Sequence, residues 1–327
     1  MTLQTKHWTN WIEAEHALSA AARILIVTHV HPDGDAIGSL LGLANWLWAR
    51  GKSVDAAVDE GVPDFLEFLP NSGRVVPSLT SGDWDVMVTV DASDQERTGT
   101  CGVYGFAHSQ TVINIDHHRT NTGFGDIHLI IPDAVSTTDV LYQWLTRMNE
   151  PITRDLAVTL LTGLVTDTMG FRTNHTTANT LGIAQALIAS GASLHDIMER
   201  TLNSQKYMVV ELWKRALSTV TLIDGVISAE VRQADLREIG LEEVPDTGLV
   251  NWLVAVDTAS IAVLFKEQAN NTVEISLRSD PNVDVSGVAL ALGGGGHRQA
   301  SGATIEGSLE AVRARVMPML TTLTGTP

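Results

Sequence analysis

The sequence predicts an α/β protein: a doubly wound, mostly parallel sheet, then a smaller α/β domain with a mixed sheet. Up to residue 189, short apolar runs such as 24–27 and 112–115 alternate with amphipathic helical stretches, as expected when helices cover both faces of a parallel sheet. Beyond residue 191 strand-like runs follow one another more closely, and Asp224-Gly225 between two of them favours a hairpin. We therefore expect domains at 1–190 and 218–327, joined by a helical linker at 191–217.

The elements follow from hydrophobic periodicity and from the residues that end each run. In the first domain we expect strands at 24–27, 53–58, 85–90, 111–115 and 126–131, and helices at 8–22, 36–48, 63–69, 136–148, 153–166 and 177–189. In the second domain we expect strands at 220–223, 226–231, 261–265 and 273–277, and helices at 247–256, 283–291 and 309–323.

Composition limits the functional classes. A chain of 327 residues, 44% hydrophobic and 18% charged, is long enough for about two domains with full cores. Cys101 is the single cysteine, which excludes an intrachain disulfide, and no signal-like start or membrane-length apolar run is present, so we expect a cytoplasmic protein without membrane contact. A net charge of −17 argues against binding long duplexes, although it permits a small anionic substrate.

Candidate metal ligands are concentrated in residues 28–39, THVHPDGDAIGS, between the first strand and the following helix. Within seven residues this loop holds His29, His31, Asp33 and Asp35. Loops at the carboxyl ends of parallel strands are where such sheets bind ligands. Carboxylates mixed with imidazole suit a divalent metal such as manganese or zinc.

Two further strands also end in acids, namely Asp91 and the run Asp116-His117-His118, and Asp167 closes an apolar helical stretch. Each of these acids alone has an ordinary explanation as a turn or helix-end residue. Together they place at least six metal ligands at one edge of a parallel sheet, a pattern that turn chemistry does not explain.

The segments HVHPDGDAIGS, VTVDASD, INIDHH and GLVTDT resemble, in order, the four motifs of the DHH phosphoesterase superfamily. GGGGHRQASG at 293–302 and ISLRSD at 275–280 resemble the DHHA1 companion domain, and the chain is most similar to the nanoRNase/pAp-phosphatase branch. The resemblance implies a DHH metal-binding catalytic domain at 1–190, a DHHA1 substrate-binding domain at 218–327, and an active-site cleft between them.

The resemblance also implies two divalent metal ions, with Mn²⁺ expected first and Mg²⁺, Co²⁺ or Zn²⁺ as alternatives. One ion would be held by His29, Asp33 and Asp91. The other would be held by Asp35, Asp91, His117 and Asp167, so that Asp91 is shared. Asp116 would orient a metal-ligating imidazole, His118 would face the substrate and protonate its leaving oxygen, and His31 would line the mouth of the site.

For the second domain the resemblance implies a binding site for the substrate's terminal phosphate and nucleotide. Its residues would be Arg278, Gly294, Gly295, Gly296, His297 and Ser301. Glycines can expose backbone N–H groups to an anion, and arginine pairs with phosphate in a fork; a flexible loop is the alternative. Phe171 and Arg172 could stack on a base or simply pack.

The implied function is metal-dependent hydrolysis of short single-stranded oligonucleotides (nanoRNA) and dinucleotides, such as pApA and pGpG, to mononucleotides. Hydrolysis of pAp and of cyclic dinucleotides is a further expectation, as is a homodimer. Two alternatives remain open: a pyrophosphatase or exopolyphosphatase of the same superfamily, and a non-catalytic nucleotide sensor.

Overall fold

The computed structural model describes residues 3–204, 206–241, 244 and 248–325. The chain forms two compact units, Met1–Ser204 and Gln205–Pro327. Each unit is built around its own six-stranded sheet. None of the helices in the described ranges is long and apolar enough to cross a membrane.

The first unit is a parallel sheet flanked by helices, as the sequence predicts. Its strands are β1 (Arg23–Val27), β2 (Ser53–Ala57), β3 (Val75–Val76), β4 (Trp84–Val90), β5 (Ser109–Asp116) and β6 (Ile127–Ile130). Its helices are α1 (Leu3–Ala20), α2 (Gly34–Ala49), α3 (Gly99–Ala107), α4 (Thr137–Arg147), α5 (Arg154–Asp167), α6 (Ala178–Ala189) and α7 (Leu194–Thr201).

The strand order is β3-β2-β1-β4-β5-β6, and every neighbouring pair is parallel. The chain builds outward from β1 in one direction, then crosses to the other side of β1 for β4. This reversal, the switch point of the sheet, opens a crevice at the carboxyl ends of the two central strands, β1 and β4. The loops that follow β1 and β4 therefore meet at the position where this fold class binds ligands.

Helix α2 starts where it does because the Asp33 side chain accepts hydrogen bonds from the backbone nitrogens of Asp35 and Ala36, both at 3.0 Å. Every residue from Gly34 to Leu47 is buried, which is unusual for a helix that lies on a sheet.

Glycines recur every four residues along one face of α2, at Gly34, Gly38 and Gly42. A Cβ atom at Gly38 would lie 2.7 Å from the carbonyl oxygen of Thr159 in α5. The backbones of α2 and α5 are therefore in direct contact at this point. The amino end of α2 lies beside the carboxyl end of α5, where a Cβ at Gly34 would meet the Thr166 side chain at 2.5 Å.

The second unit has a mixed sheet, in agreement with the predicted fold class. Its helices are α8 (Tyr207–Ser218), α9 (Gln233–Ile239), α10 (Leu249–Leu253), α11 (Ser286–Ala291) and α12 (Leu309–Thr324). Its strands are β7 (Thr221–Ile223), β8 (Val226–Val231), β9 (Ile261–Glu267), β10 (Thr272–Ser279), β11 (Gly295–His297) and β12 (Ala300–Glu306), in the order β11-β12-β10-β9-β8-β7. Only β8 and β9 run parallel among these pairs.

Several elements differ from those expected. The stretch 195–217 forms two helices, α7 and α8, instead of one, while α3, α9, β3, β11 and β12 were not expected. The predicted helix 63–69 is only a 3₁₀ turn at Asp64–Leu66. The predicted helix 247–256 is reduced to α10, and its first residue, Thr247, lies outside the described residues. The expected hairpin is present: Asp224 and Gly225, with φ of +47° and +77°, join β7 to β8.

Candidate metal centre

The backbone at the switch point is fixed by hydrogen bonds between adjacent strand ends. The Thr28 hydroxyl donates to the Val90 carbonyl at 2.8 Å, and the Asp91 amide donates to the Ile115 carbonyl at 3.0 Å. Asp91 itself has a φ of +59°, a left-handed conformation that is uncommon for aspartate in a buried position. Such strain persists only where the surroundings enforce it, and it concentrates at functional sites.

A first cluster of donor atoms comes from the loop after β1 and from Asp91. One ligating atom each from His29, Asp33 and Asp91 lies within 4.8 Å of the others. His29 Nε2 is 3.7 Å from Asp91 Oδ2, while His29 Nδ1 faces the Val30 carbonyl at 2.9 Å. The backbone thus engages Nδ1 of His29, and Nε2 is left directed at the other donors of the cluster. This division of the two ring nitrogens is usual for metal-binding histidines.

A second cluster joins Asp35, His117 and Asp167, whose donor atoms also lie within 4.8 Å of one another. His117 Nε2 is 3.4 Å from Asp167 Oδ2, 3.7 Å from Asp91 Oδ1 and 4.0 Å from Asp35 Oδ2. Asp91 therefore presents Oδ2 to the first cluster and Oδ1 to the second. The structure brings together all six side chains expected as metal ligands; their binding of an ion stays a prediction.

The amino end of α4 supports both clusters, and sequence reasoning missed it. Asp35 accepts from the backbone nitrogens of Thr137 and Thr138, at 2.6 and 3.0 Å, and from the Thr138 hydroxyl at 2.7 Å. The Thr137 hydroxyl donates to Asp91 Oδ1 at 2.8 Å. Both threonines are buried. In the sequence they look like ordinary residues of a helix start, and their partners are about a hundred and about fifty positions away.

The electrostatics of the clusters fit a bound cation. Burial first, then the charges of Asp35 and Asp33, raise the pKa of Asp91 well above its usual value. Burial and the same two carboxylates raise the pKa of Asp167 to about 9. Within the described ranges no lysine or arginine forms an ion pair with the acids of either cluster.

Asp167 is moreover the last residue of α5, where the helix dipole disfavours an anion. Divalent ions would offset these penalties, and four carboxylates with two imidazoles form a donor set suited to them.

Asp116 lies directly behind His118. Asp116 Oδ1 is 2.8 Å from His118 Nδ1, and Oδ2 accepts a hydrogen bond from Asn121 at 2.5 Å. These bonds lower the pKa of Asp116 although burial alone would raise it, and the bond to Asp116 raises the pKa of His118. Asp116 thus orients His118 instead of His117, whose Nδ1 faces the Ala134 carbonyl at 3.4 Å.

His31 lies outside both clusters. Its side chain is exposed, and its Nδ1 is 3.8 Å from Glu60 Oε2. Phe171 packs against the core of the first unit, so packing accounts for it. Arg172 is exposed and its Nε donates to the Met169 carbonyl at 2.7 Å.

The glycine-rich segment of the second unit contains a short strand. Gly295–His297 forms edge strand β11, paired antiparallel with β12. A Cβ atom at Gly294 would lie 2.0 Å from the Gly302 carbonyl oxygen, so glycine is required there for close backbone packing. In the structure, residues 295–297 of this segment are therefore an edge strand and not a loop. His297 is exposed, whereas the buried Ser301 donates its hydroxyl to the His297 carbonyl at 2.6 Å.

Arg278 lies on β10 of the same unit. Its Nε donates to Asn251 Oδ1 at 2.8 Å, and another guanidinium nitrogen donates to the Leu277 carbonyl at 2.9 Å. The guanidinium is therefore held in a fixed position. A role for Arg278, Gly294, Gly295, Gly296, His297 and Ser301 in binding substrate stays a prediction.

A parallel sheet with acids and imidazoles at its switch point, followed by a mixed-sheet unit, defines the class of two-domain DHH phosphoesterases. The family model "DHH family, N-terminal domain" matches residues 23–164, and the "DHHA1 domain" model matches residues 242–317. The chain belongs to the DHH/DHHA1 superfamily and to its nanoRNase/pAp-phosphatase branch, which confirms the relationship that the motifs predict.

The relative that carries this assignment is the bifunctional oligoribonuclease and PAP phosphatase NrnA of Thermus thermophilus. It is 34% identical over 310 residues, which cover 93% of this chain and 91% of the relative. Among solved structures, an exopolyphosphatase-related protein from Bacteroides fragilis superposes with a TM-score of 0.86, at 24% identity, over 97% of this chain and 98% of its own.

Exonuclease RecJ bound to manganese superposes with a TM-score of 0.51, at 13% identity, over 98% of this chain and 95% of its own. At these identities both superpositions establish the shared fold.

Proposed function

We propose that this protein is a metal-dependent phosphoesterase that hydrolyses short oligonucleotides to mononucleotides and removes the 3′-phosphate of pAp. The observation that carries the proposal is the pair of donor clusters joined through Asp91 at the switch point of the sheet. The relative from Thermus thermophilus, named for both activities, covers nearly the whole chain and supports the choice of substrates.

We assign His29, Asp33 and Asp91 to one ion, and Asp35, Asp91, His117 and Asp167 to the other. Two divalent ions at such a centre neutralise phosphoryl oxygens and acidify water. Asp91 would set the spacing of the pair, because its two oxygens face different clusters. Manganese as the native ion stays a prediction, as do a cytoplasmic location and a homodimer.

The remaining residues of the centre position substrate and move a proton. Asp116 engages Nδ1 of His118, which leaves Nε2 of this half-buried imidazole able to face a substrate. We assign to Nε2 the protonation of the leaving oxygen as the phosphoester bond breaks. With pApA and one water the products would be two molecules of pA; with pAp they would be pA and inorganic phosphate.

The test is one substrate panel with the purified protein: pApA, pAp, pyrophosphate and cyclic di-AMP, each with Mn²⁺ and with a chelator, with products separated by chromatography. We expect metal-dependent formation of pA from pApA and from pAp. Hydrolysis of pyrophosphate alone would favour the pyrophosphatase alternative. Failure on all four substrates with Mn²⁺, Mg²⁺ and Co²⁺ would favour a nucleotide sensor.

The Asp91→Ala variant completes the test, because it removes a carboxylate of the first cluster whose Oδ1 lies 3.7 Å from His117 Nε2 of the second. Its activity should be lost while its circular dichroism spectrum stays that of the wild type. Activity within a few-fold of wild type would contradict the assignment of two ions.

A further inference from the structure

The loop that follows β4 carries an arginine, Arg97, to which nothing above assigns a role. The loop comprises residues 91–98 and leads from Asp91 through a short 3₁₀ turn, Glu96–Thr98, into α3. The Arg97 side chain is exposed. In the described part of the chain, no side-chain hydrogen bond or ion pair engages its guanidinium.

The backbone of this loop is held from both sides by the loops of the candidate metal centre. On one side, the amide of Val30, next to His29, donates to the Arg97 carbonyl at 2.7 Å. On the other side, the Asn121 side chain donates to the Ala92 carbonyl at 3.1 Å, and the Thr122 amide donates to the Ser93 carbonyl at 2.9 Å. The backbone that carries Arg97 is therefore held between the His29 loop and the loop that follows His118.

Asp94, an acid of the same loop, makes its hydrogen bonds to groups other than the Arg97 guanidinium. Asp94 Oδ1 accepts from the backbone nitrogen of Arg97 at 2.9 Å, and Oδ2 accepts from the Ser93 hydroxyl at 3.2 Å. Asp94 thus shapes the turn without neutralising the guanidinium.

Other arginines near this edge differ. Arg119, which follows His118, forms an ion pair with Asp133 at 2.9 Å. Arg172 turns its Nε to a backbone carbonyl. Arg97 combines a backbone that is fixed beside His29 with a guanidinium that no acid in the described part of the chain pairs with.

We propose that Arg97 binds a non-bridging oxygen of the scissile phosphate, as a substrate-binding residue beside the metal centre. The inference rests on the proposed function. A guanidinium suits phosphate because its N–H groups form paired, charge-assisted hydrogen bonds. A contact at the reacting phosphorus strengthens as charge develops on the phosphoryl oxygens, so it acts on turnover. Every substrate has a scissile phosphate, so the contact serves all of them equally.

The experiment measures kcat and KM of wild type, Arg97→Met and Arg97→Lys on pApA and on pAp at saturating Mn²⁺. For Arg97→Met we expect kcat to fall about 100-fold or more on both substrates by a similar factor. Arg97→Lys should recover part of the loss, because it restores the charge without the planar fork. Arg119→Met is the matched control and should stay close to wild type, since Asp133 already neutralises that arginine.

Two measurements separate this role from damage to the site. Mn²⁺ affinity, determined by calorimetry without substrate, and the thermal unfolding midpoint should be unchanged in Arg97→Met. Added guanidinium ion should partly rescue Arg97→Ala.

A wild-type enzyme that hydrolyses both substrates, with Arg97→Met within about twofold of its kcat, would overturn the role of Arg97 alone. A loss confined to KM or to one substrate would overturn the assignment to the scissile phosphate. Inactive wild type would overturn the proposed function and the inference together.

Discussion

Thr137→Val tests whether the amino end of α4 sets the geometry of the metal centre. The substitution keeps the shape of the side chain and the backbone N–H that donates to Asp35 at 2.6 Å. It removes only the hydroxyl that donates to Asp91 Oδ1 at 2.8 Å. Thr137 is fully buried, so water does not replace the lost donor.

The expected magnitude follows from the charge of the acceptor. A hydrogen bond to a charged group contributes about 1.5–3 kcal/mol. At about 1.4 kcal/mol per factor of ten, its loss corresponds to between about 10-fold and about 150-fold. Substitutions of groups that support metal ligands cost about 10–100-fold in metal affinity or activity, which is the same range. We therefore expect Thr137→Val to weaken Mn²⁺ binding, or to lower kcat, by about 10–100-fold.

The assay is calorimetric titration of chelator-treated protein with Mn²⁺, followed by kcat on pApA at saturating metal. Thr137→Ser is the control, because it keeps the hydroxyl and should stay within a few-fold of wild type. Thr137→Val protein with wild-type Mn²⁺ affinity and wild-type kcat would refute the reasoning, since the Asp91 contact would then contribute nothing to the centre.

Three further predictions concern other parts of the molecule. Mn²⁺ at 100 times the Kd of each site should stabilise the wild type by about 2.7 kcal/mol for each ion bound and should stabilise Asp91→Asn less. An equal rise in melting temperature in the two proteins would contradict the assignment of Asp91 to both ions. Gly294→Ala should lower the free energy of unfolding by roughly 2 kcal/mol or more, because its Cβ would lie 2.0 Å from the Gly302 carbonyl oxygen. The control Gly295→Ala has open space at its Cβ and should be close to neutral. Denaturant unfolding measures both. Cys101 should resist iodoacetamide at pH 8 in the native protein and react once it is unfolded, because burial raises the pKa of its thiol to about 12; rapid native labelling would contradict this.

The sequence predicts the first unit well because its central strands are short apolar runs followed by acids or histidines. Asp91, His117 and the His29 loop each follow a strand, and parallel strands bring their carboxyl ends to one edge. Helix α3 was not predicted because its sequence, GTCGVYGFA, is rich in glycine and lacks a polar face. Strand β12 was not predicted because its first residues, Ala-Ser-Gly, are not typical of strands.

What the sequence did not reveal are contacts between distant residues. The hydroxyl of Thr137 and the carboxylate of Asp91 meet only because α4 starts beside the end of β4. The left-handed backbone of Asp91 has no local cause either, since aspartate gives no strong preference for it. The role of Asp116 depends on which imidazole its oxygen reaches, and adjacent histidines are equivalent in sequence. The domain boundaries at 190, 191–217 and 218 stay predictions.

The glycine face of α2 has a consequence for how the centre tolerates change. A Cβ atom at Gly163 of α5 would lie 2.5 Å from Asp35 Oδ1, so the acid rests directly on the neighbouring helix backbone. The distance between the Asp35 and Asp167 carboxylates is therefore set by the separation of two helix axes. A methyl group at Gly38, one turn into the core, would act as a wedge between α2 and α5. Substitutions at the buried α2–α5 contact would then change the distance between candidate metal ligands without replacing any ligand. The packing of this core therefore determines the geometry of the metal centre.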